Sequence, residues 1–182
     1  MEQNVKEKNF VSAVIYIRSG EEDTDKNIEN LLKVMKEHFE HYEIIFVNDA
    51  SSDGCVDKIK KIFAKEENNG IAVRIINMSY YYGREIAMSA GVDMAIGDYV
   101  FEFDRISSIG DDIIMKAYYK CIQGTDIVSV TPKKVAGFIT KLYYKIYNSS
   151  SNIKENFLKR ELFCVVSRRT INRVCLLYTS PS

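Results

Sequence analysis

Two aspartates directly follow mainly apolar runs, and their positions indicate where a ligand would bind. Asp49 comes just after Ile44–Val47, and Asp104 comes just after Tyr99–Phe103. An apolar run without alternation is typical of a strand that is buried on both faces of a parallel α/β sheet. Ligands of such sheets bind beyond the carboxyl ends of the strands. The sequence therefore predicts that both carboxylates lie at a ligand-binding edge.

The polar segment around Asp49 has a second interpretation. Its residue types also supply turn and N-cap groups to a following helix, namely Asn48, Asp49, Ser51 and Asp53. We favour this structural role for Ser51 and Asp53. For Asp49, which directly continues the strand, a functional role and a capping role both remain open.

Strands and helices alternate along the chain up to residue 130. Strands are predicted at residues 10–17, 44–47, 72–77, 99–103 and 126–130. Helices are predicted between them because apolar residues recur at helical spacing, as Ile28, Leu32 and Met35 do in the first. Helices of this length connect parallel strands, so we expect an α/β fold of three layers around a mainly parallel sheet. The third helix has a face of small residues that lets it lie close to the sheet or to a ligand, namely Ala87, Ala90, Gly91 and Ala95.

The pattern changes after Pro132. An apolar stripe predicts a helix rich in lysine and tyrosine, formed by Ile139, Leu142, Tyr143, Ile146 and Tyr147. It suits either a membrane surface or the core, and we favour the core. A last strand, LFCVVS, precedes SRRTINRV, and the final CLLYTSPS does not continue the helical pattern. We expect residues 1–175 to form one domain and residues 176–182 to be a non-native or disordered tail.

Composition excludes several classes of protein. The 182 residues are 46% hydrophobic and 27% charged, with a formal net charge of zero, so no overall field attracts nucleic acid. The four cysteines are far apart and form neither a CxxC metal site nor a short disulfide framework. No apolar run approaches the roughly 20 residues that span a bilayer. We therefore expect a cytoplasmic protein.

Several segments in register resemble the inverting glycosyltransferases of family 2, of the dolichol-phosphate mannosyltransferase type. They are VSAVIYI, EIIFVNDASSDG, YYYGREIAMSAGVDMAIGDYVFEFD and FCVVSRR. The resemblance implies the GT-A fold and a nucleotide-diphosphate sugar as donor, usually with a divalent metal such as Mg²⁺ or Mn²⁺. It also implies transfer to a lipid phosphate or a glycan in cell-surface polysaccharide assembly, with peripheral contact at the inner face of the membrane.

The same resemblance implies roles for four residues. Asp49 would contact the nucleobase, and Tyr16 falls where the family commonly has a proline beside that base. Arg84 would lie near the diphosphate, and Asp104 corresponds to the first aspartate of the metal-binding Asp-x-Asp motif. Arg84 begins a helix, where backbone amides also favour anions, although a solvated surface charge is the alternative. Because Asp104 follows a buried strand, a cation or hydrogen-bond donors must lie close to it.

The chain departs from the family pattern at the metal motif and in the first loop. The second aspartate of the motif is replaced by Ile106. Mg²⁺ often takes only one or two carboxylates, and Arg105 offers a further positive charge. A pairing of Glu102 with Asp104 is a second choice that breaks the register. In the first loop, residues 16–20 replace the usual Pro-x-Tyr-Asn-Glu.

The expected catalytic base is also missing. The family's aspartate would fall near Leu158, which is not acidic. The nearest acidic candidates are Glu155 and Glu161, of which we choose Glu161, although both are also typical surface charges. A lipid phosphate is already ionised and needs a base less. The sequence thus leaves two hypotheses, a glycosyltransferase or a catalytically silent module that binds nucleotide sugars and acts as a scaffold.

Overall fold

The structure is a computed structural model that describes residues 5–19, 24–64, 71–105, 109–131 and 162–179. The strands are β1 Val11–Ile17, β2 Tyr42–Asn48, β3 Ala72–Asn77, β4 Tyr99–Phe103, β5 Ile127–Val130 and β6 Phe163–Ser167. The helices are α1 Thr24–His38, α2 Cys55–Ala64, α3 Arg84–Met94, α4 Asp111–Ile122 and α5 Arg168–Thr179. The ends of each predicted strand lie within two residues of the ends of an observed strand.

The six strands form one sheet in the order β3-β2-β1-β4-β6-β5. The first four strands are mutually parallel, whereas β6 is antiparallel to both of its neighbours, β4 and β5. The mainly parallel sheet is therefore confirmed. Because β1 to β4 are parallel, their carboxyl ends meet at the same edge.

Helices cover both faces of the sheet, as expected for three layers. On one face, residues of α1, α2 and α4 join a buried core that includes Ile15, Phe46 and Phe101. On the other face, α3 and α5 pack on a smaller core that includes Val14 and Val47. All seven residues of β1 are buried. This burial on both faces explains why the strand is apolar without alternation.

The end of the chain differs from the expectation. The expectation that the final CLLYTSPS does not continue the helix is wrong, because α5 continues to Thr179. The domain boundary at residue 175 and the non-native origin of the tail stay predictions. Cys175 and Tyr178 follow Ile171 at helical spacing, and Pro181 disfavours helix at the residue before it. The lysine- and tyrosine-rich helix predicted after Pro132 lies outside the described residues. In the part of the chain that is described, no helix is long and apolar enough to cross a membrane.

Candidate functional site

The carboxyl ends of the four parallel strands bring the predicted site residues to one edge of the sheet. Arg18 follows β1, Asp49 follows β2, and Asp104 follows β4. The loop after β3 leads through three tyrosines to Arg84, the first residue of α3. This edge is referred to below as the strand-end site.

Asp49 is the most highly connected side chain of the strand-end site. It is 2% exposed. One carboxylate oxygen accepts a hydrogen bond from the Tyr82 backbone amide at 2.8 Å. The other accepts from the Gly83 amide and from the Tyr16 hydroxyl, both at 2.9 Å. The carboxylate therefore ties β1 and β2 to the loop that precedes α3.

The Tyr16 hydroxyl binds Asp49, and the Tyr16 ring is not exposed for stacking on a nucleobase. It is 6% exposed, so it offers little surface to a base. Burial, together with the hydrogen bond to Asp49, raises the pKa of the Tyr16 phenol. Tyr16 thus stays protonated and donates its hydrogen bond at neutral pH. The structure brings the two predicted base-contacting residues together, and both lie beneath the surface.

The segment after Asp49 forms a turn and a helix cap, as predicted for Ser51 and Asp53. The Ser51 hydroxyl donates to Asp53 at 2.6 Å, and the same carboxylate oxygen accepts from the Cys55 amide at the start of α2. Ala50 has a φ of 55°, in the left-handed region that few residues other than glycine adopt. This tight turn presents Asp49 at the strand end.

The start of α3 has no side-chain cap. Gly83 has a φ of 88°, which L-residues with a side chain rarely adopt, and no side chain caps the helix there. The Gly83 amide is turned toward Asp49, while the amides of the first turn face the helix end. Free amides and the helix dipole both favour a negatively charged group at this place.

Arg84 and Asp104 form an ion pair at the same edge. The Arg84 Nε and the nearest Asp104 oxygen lie 2.5 Å apart, with side chains 32% and 19% exposed. A second guanidinium nitrogen contacts Glu85 at 2.7 Å. Arg84 is therefore not the freely solvated surface charge considered above.

The charge of Arg84 is stabilised by its neighbours. Burial opposes ionisation of the guanidinium, but the hydrogen bond to Glu85 and the charge of Asp104 outweigh it and raise the Arg84 pKa. The positive charge expected near Asp104 is thus supplied by this arginine. Arg84 therefore keeps its positive charge at neutral pH.

A divalent cation would need free carboxylate oxygens at the strand-end site. Asp104 contacts a guanidinium, and the second position of the motif is an isoleucine. Within the described residues, one group of three acidic or histidine side chains is close enough to share an ion, and it consists of Glu37, His38 and Asp111. That group contains neither Glu102 nor Asp104. Asp104, paired with Arg84, and Ile106 therefore make a poorer donor set for a divalent cation than the two carboxylates of the family motif.

Two predicted positions lie outside the described residues. They are Ile106 of the metal motif and the candidate base Glu161. The alternative base Glu155 also lies outside the described residues. Their roles stay predictions.

Sequence reasoning missed an aromatic surface beside Asp49. The Arg18 guanidinium lies 5.3 Å from the centre of the Tyr81 ring, in the range of a cation–π contact. Tyr81 is 59% exposed, and its neighbours Tyr80 and Tyr82 are 73% and 48% exposed. The signal was present, because three consecutive tyrosines shortly after a strand match no buried pattern.

With this geometry established, comparison with known proteins assigns the family. The family model described as glycosyl transferase family 2 matches residues 12–169. The chain belongs to this family. Its fold is the GT-A fold of nucleotide-sugar transferases, as the resemblance implied.

Solved structures support the fold. A mannosyltransferase from Pyrobaculum calidifontis, solved with GDP-mannose and Mn²⁺, superposes with a TM-score of 0.68 at 13% identity, covering 92% of this chain and 47% of that one. Mannosyl-3-phosphoglycerate synthase from Rubrobacter xylanophilus gives 0.62 at 18% identity, covering 88% and 54%. At such identities the likeness concerns the fold alone.

Curated relatives of this chain include an uncharacterized glycosyltransferase and an undecaprenyl-phosphate sugar transferase. An uncharacterized glycosyltransferase of Synechocystis sp. is 30% identical over 150 residues, which cover 79% of this chain and 46% of the relative. Undecaprenyl-phosphate 4-deoxy-4-formamido-L-arabinose transferase of Proteus mirabilis is 32% identical over 120 residues, covering 66% and 36%. The chain thus spans less than half the length of these relatives.

Proposed function

We propose that this glycosyltransferase domain moves a sugar from a nucleotide-diphosphate sugar to a lipid phosphate in cell-surface polysaccharide assembly, at the cytoplasmic face of a membrane. The family match supports this, because it spans every strand end of the strand-end site. The Proteus mirabilis relative, named for transfer to undecaprenyl phosphate, supports the choice of acceptor.

The donor would be held by three parts of the strand-end site. The exposed Tyr81 ring and the Arg18 guanidinium offer flat surfaces on which a nucleobase stacks. Arg84 and the start of α3 supply positive charge to the diphosphate. Asp49 contributes mainly by fixing the loop between them, since both of its oxygens already accept hydrogen bonds.

The lack of an acidic residue near Leu158, where the family has its catalytic base, is the observation that favours a lipid phosphate, and neither strand-end carboxylate replaces that base. Asp49 is held by three donors, and Asp104 is paired with Arg84. Neither is positioned to take a proton from a sugar hydroxyl. A phosphate acceptor is ionised at neutral pH and attacks without a general base. For a glycan acceptor, Glu161 would be the candidate base.

The transfer itself would be a single displacement. An oxygen of the lipid phosphate attacks the anomeric carbon and forms the new C–O bond. The bond from that carbon to the donor diphosphate breaks, and the nucleoside diphosphate leaves with the electron pair. The positive charge of Arg84 would stabilise the negative charge that develops on the leaving diphosphate.

The same engaged carboxylates also favour the second hypothesis, a silent module that binds nucleotide sugars as a scaffold. The two functions differ in one measurable respect. The transferase releases nucleoside diphosphate in the presence of a lipid phosphate, whereas the module binds the donor without turnover.

The test is a binding titration followed by a transfer assay. The chain is titrated by calorimetry with UDP, GDP, CDP, dTDP and the corresponding sugar nucleotides. The best ligand is then incubated with a short polyprenyl phosphate in detergent, and release of nucleoside diphosphate is measured. Binding with acceptor-dependent release is the expected result. Binding without release would favour the silent module, and a chain that binds none of these nucleotides would overturn both hypotheses.

A further inference from the structure

The charges around Asp104 differ from those of a metal site. A carboxylate that ligates a divalent cation must direct a free oxygen at the ion. Here the nearest Asp104 oxygen is 2.5 Å from the Arg84 guanidinium. Asp104, Arg105 and Ile106 then offer one carboxylate, one positive charge and one apolar side chain where the motif has two carboxylates.

A divalent cation would have to compete with Arg84 for the same carboxylate. The guanidinium cannot lose its proton to make room, because its pKa is raised by its neighbours. The two cations would repel each other across a partly buried site, where charge is poorly screened. Displacing Arg84 would also break its ion pair with Asp104.

The guanidinium is already placed to bind phosphate. Asp104 contacts its Nε side, while the second contact goes to Glu85, whose side chain is 87% exposed. An exposed ion pair of this kind contributes little to stability, so it exchanges readily for a phosphate oxygen. A planar guanidinium held on one side presents its remaining N–H groups as a fork that matches phosphate.

We propose that this domain binds the nucleotide diphosphate without a divalent metal, with Arg84 as its countercharge and Asp104 as the residue that positions Arg84. The inference rests on the proposed function, since it concerns the same ligand. It assigns Asp104 a different role from the metal ligand that the family resemblance implies.

The first test compares nucleotide affinity with and without metal. The nucleotide that binds best is titrated in excess EDTA, in MgCl₂ and in MnCl₂. The dissociation constant is expected to change less than about twofold, whereas a metal-bridged diphosphate would lose at least about tenfold in EDTA. Binding that needs Mg²⁺ or Mn²⁺ overturns the inference and leaves the proposed function intact. If no nucleotide binds in any buffer, the proposed function itself fails.

The second test separates a positioning role from a metal ligand. Arg84→Gln should weaken binding about tenfold to a hundredfold, the loss expected for hydrogen bonds to a charged group. Asp104→Asn should change affinity by the same factor in EDTA and in MgCl₂. In the Arg84→Gln background, Asp104→Asn should have no further effect, because its partner is gone.

Controls keep this second test interpretable. Arg173→Gln removes the same charge from an exposed position on α5 and should leave affinity unchanged. Arg84→Lys keeps the charge but loses the planar fork, so it should fall between the parent and Arg84→Gln. Circular dichroism verifies that each variant is folded, and Arg84→Lys replaces Arg84→Gln if the latter is not. An Asp104→Asn effect seen in MgCl₂ and absent in EDTA would show that Asp104 is a metal ligand.

Discussion

At the scale of residues, Asp49 shows how one buried side chain can connect several parts of a candidate site. Its three donors come from β1 and from the loop before α3. A carboxylate that accepts several hydrogen bonds fixes its donors in direction as well as distance. The start of α3 and the exposed tyrosines beside it are therefore placed by a residue that is almost fully buried.

Tyr16→Phe tests this organising role. It removes one donor to the buried carboxylate while keeping the ring, and should lower the free energy of unfolding by about 1 to 2 kcal/mol. Chemical denaturation measures the change. Tyr80→Phe removes a hydroxyl from a side chain that is 73% exposed and should alter stability by less than about 0.5 kcal/mol. Equal stabilities for the parent and Tyr16→Phe would show that the hydroxyl does not support Asp49.

The position of the site residues was predictable, but their partners were not. Asp49 and Asp104 directly follow strands, so their place at one edge follows from the apolar runs. Tyr16 and Asp49 are 33 positions apart, and their contact depends on the register between β1 and β2. The pairing of Asp104 with Arg84 depends in turn on where α3 begins. Sequence patterns do not encode such distances.

At the scale of elements, α3 lies unusually close to the sheet. A Cβ atom added at Gly91 would lie 2.4 Å from a Val14 methyl carbon and 2.7 Å from a Val47 methyl carbon. Both valines are fully buried, so neither can move away easily. This explains the small-residue face seen in the sequence. The close approach fixes the height of the α3 start above the strand ends.

Gly91→Ala should therefore destabilise the protein although alanine favours helices. Overpacking costs about 1 to 3 kcal/mol, and the gain in helix propensity returns about 1 kcal/mol. The net loss is expected in the thermal unfolding midpoint and in denaturant titrations. Ser89→Ala, on the exposed side of the same helix, should be neutral or slightly stabilising. A Gly91→Ala variant as stable as the parent would mean that α3 can move away from the sheet without cost.

The alternation of strands and helices could be predicted from the sequence, whereas the order of the strands beyond β4 in the sheet could not. Apolar runs identified β1 to β5, and β1, β2 and β4 are the ones that are largely buried, whereas β5 alternates between exposed and buried residues. The insertion of β6 between β4 and β5 is set by contacts between distant segments. Apolar runs carry no information about which edge accepts a late strand. The run FCVVS was recognised as a strand, but its neighbours and direction were not.

At the scale of the whole molecule, the edge opposite the strand-end site is held by a buried acid. Glu43 is fully buried, and one of its oxygens accepts hydrogen bonds from the Ser12 hydroxyl at 2.6 Å and the Ile96 amide at 2.8 Å. Its other oxygen is paired with Arg74 at 2.8 Å. These contacts join β1, β2, β3 and the turn after α3, so they connect most of the parallel part of the sheet.

Glu43→Gln should weaken this connection without creating a cavity. The amide can still accept from Ser12 and Ile96, but it loses the charge that pairs with Arg74. Because the Arg74 side chain is 39% exposed and regains water, the loss in unfolding free energy is expected to be about 1 to 3 kcal/mol. Denaturant titration provides the value. Glu85→Gln, which changes an 87% exposed acid, is the matched control and should have little effect. Similar losses for the two variants would contradict the role of Glu43.

The antiparallel strand β6 also sets an order of events during translation. β5 is synthesised before β6, yet β5 pairs with β6 and not with β4. Residues 131–162 must be synthesised before that partner is available. A nascent chain that stops short of Phe163 can therefore assemble the parallel strands, but it leaves the open side of β4 and the whole of β5 without a ladder partner. Unpaired strand edges attract other chains, so the partly synthesised chain exposes edges that favour aggregation until β6 is available.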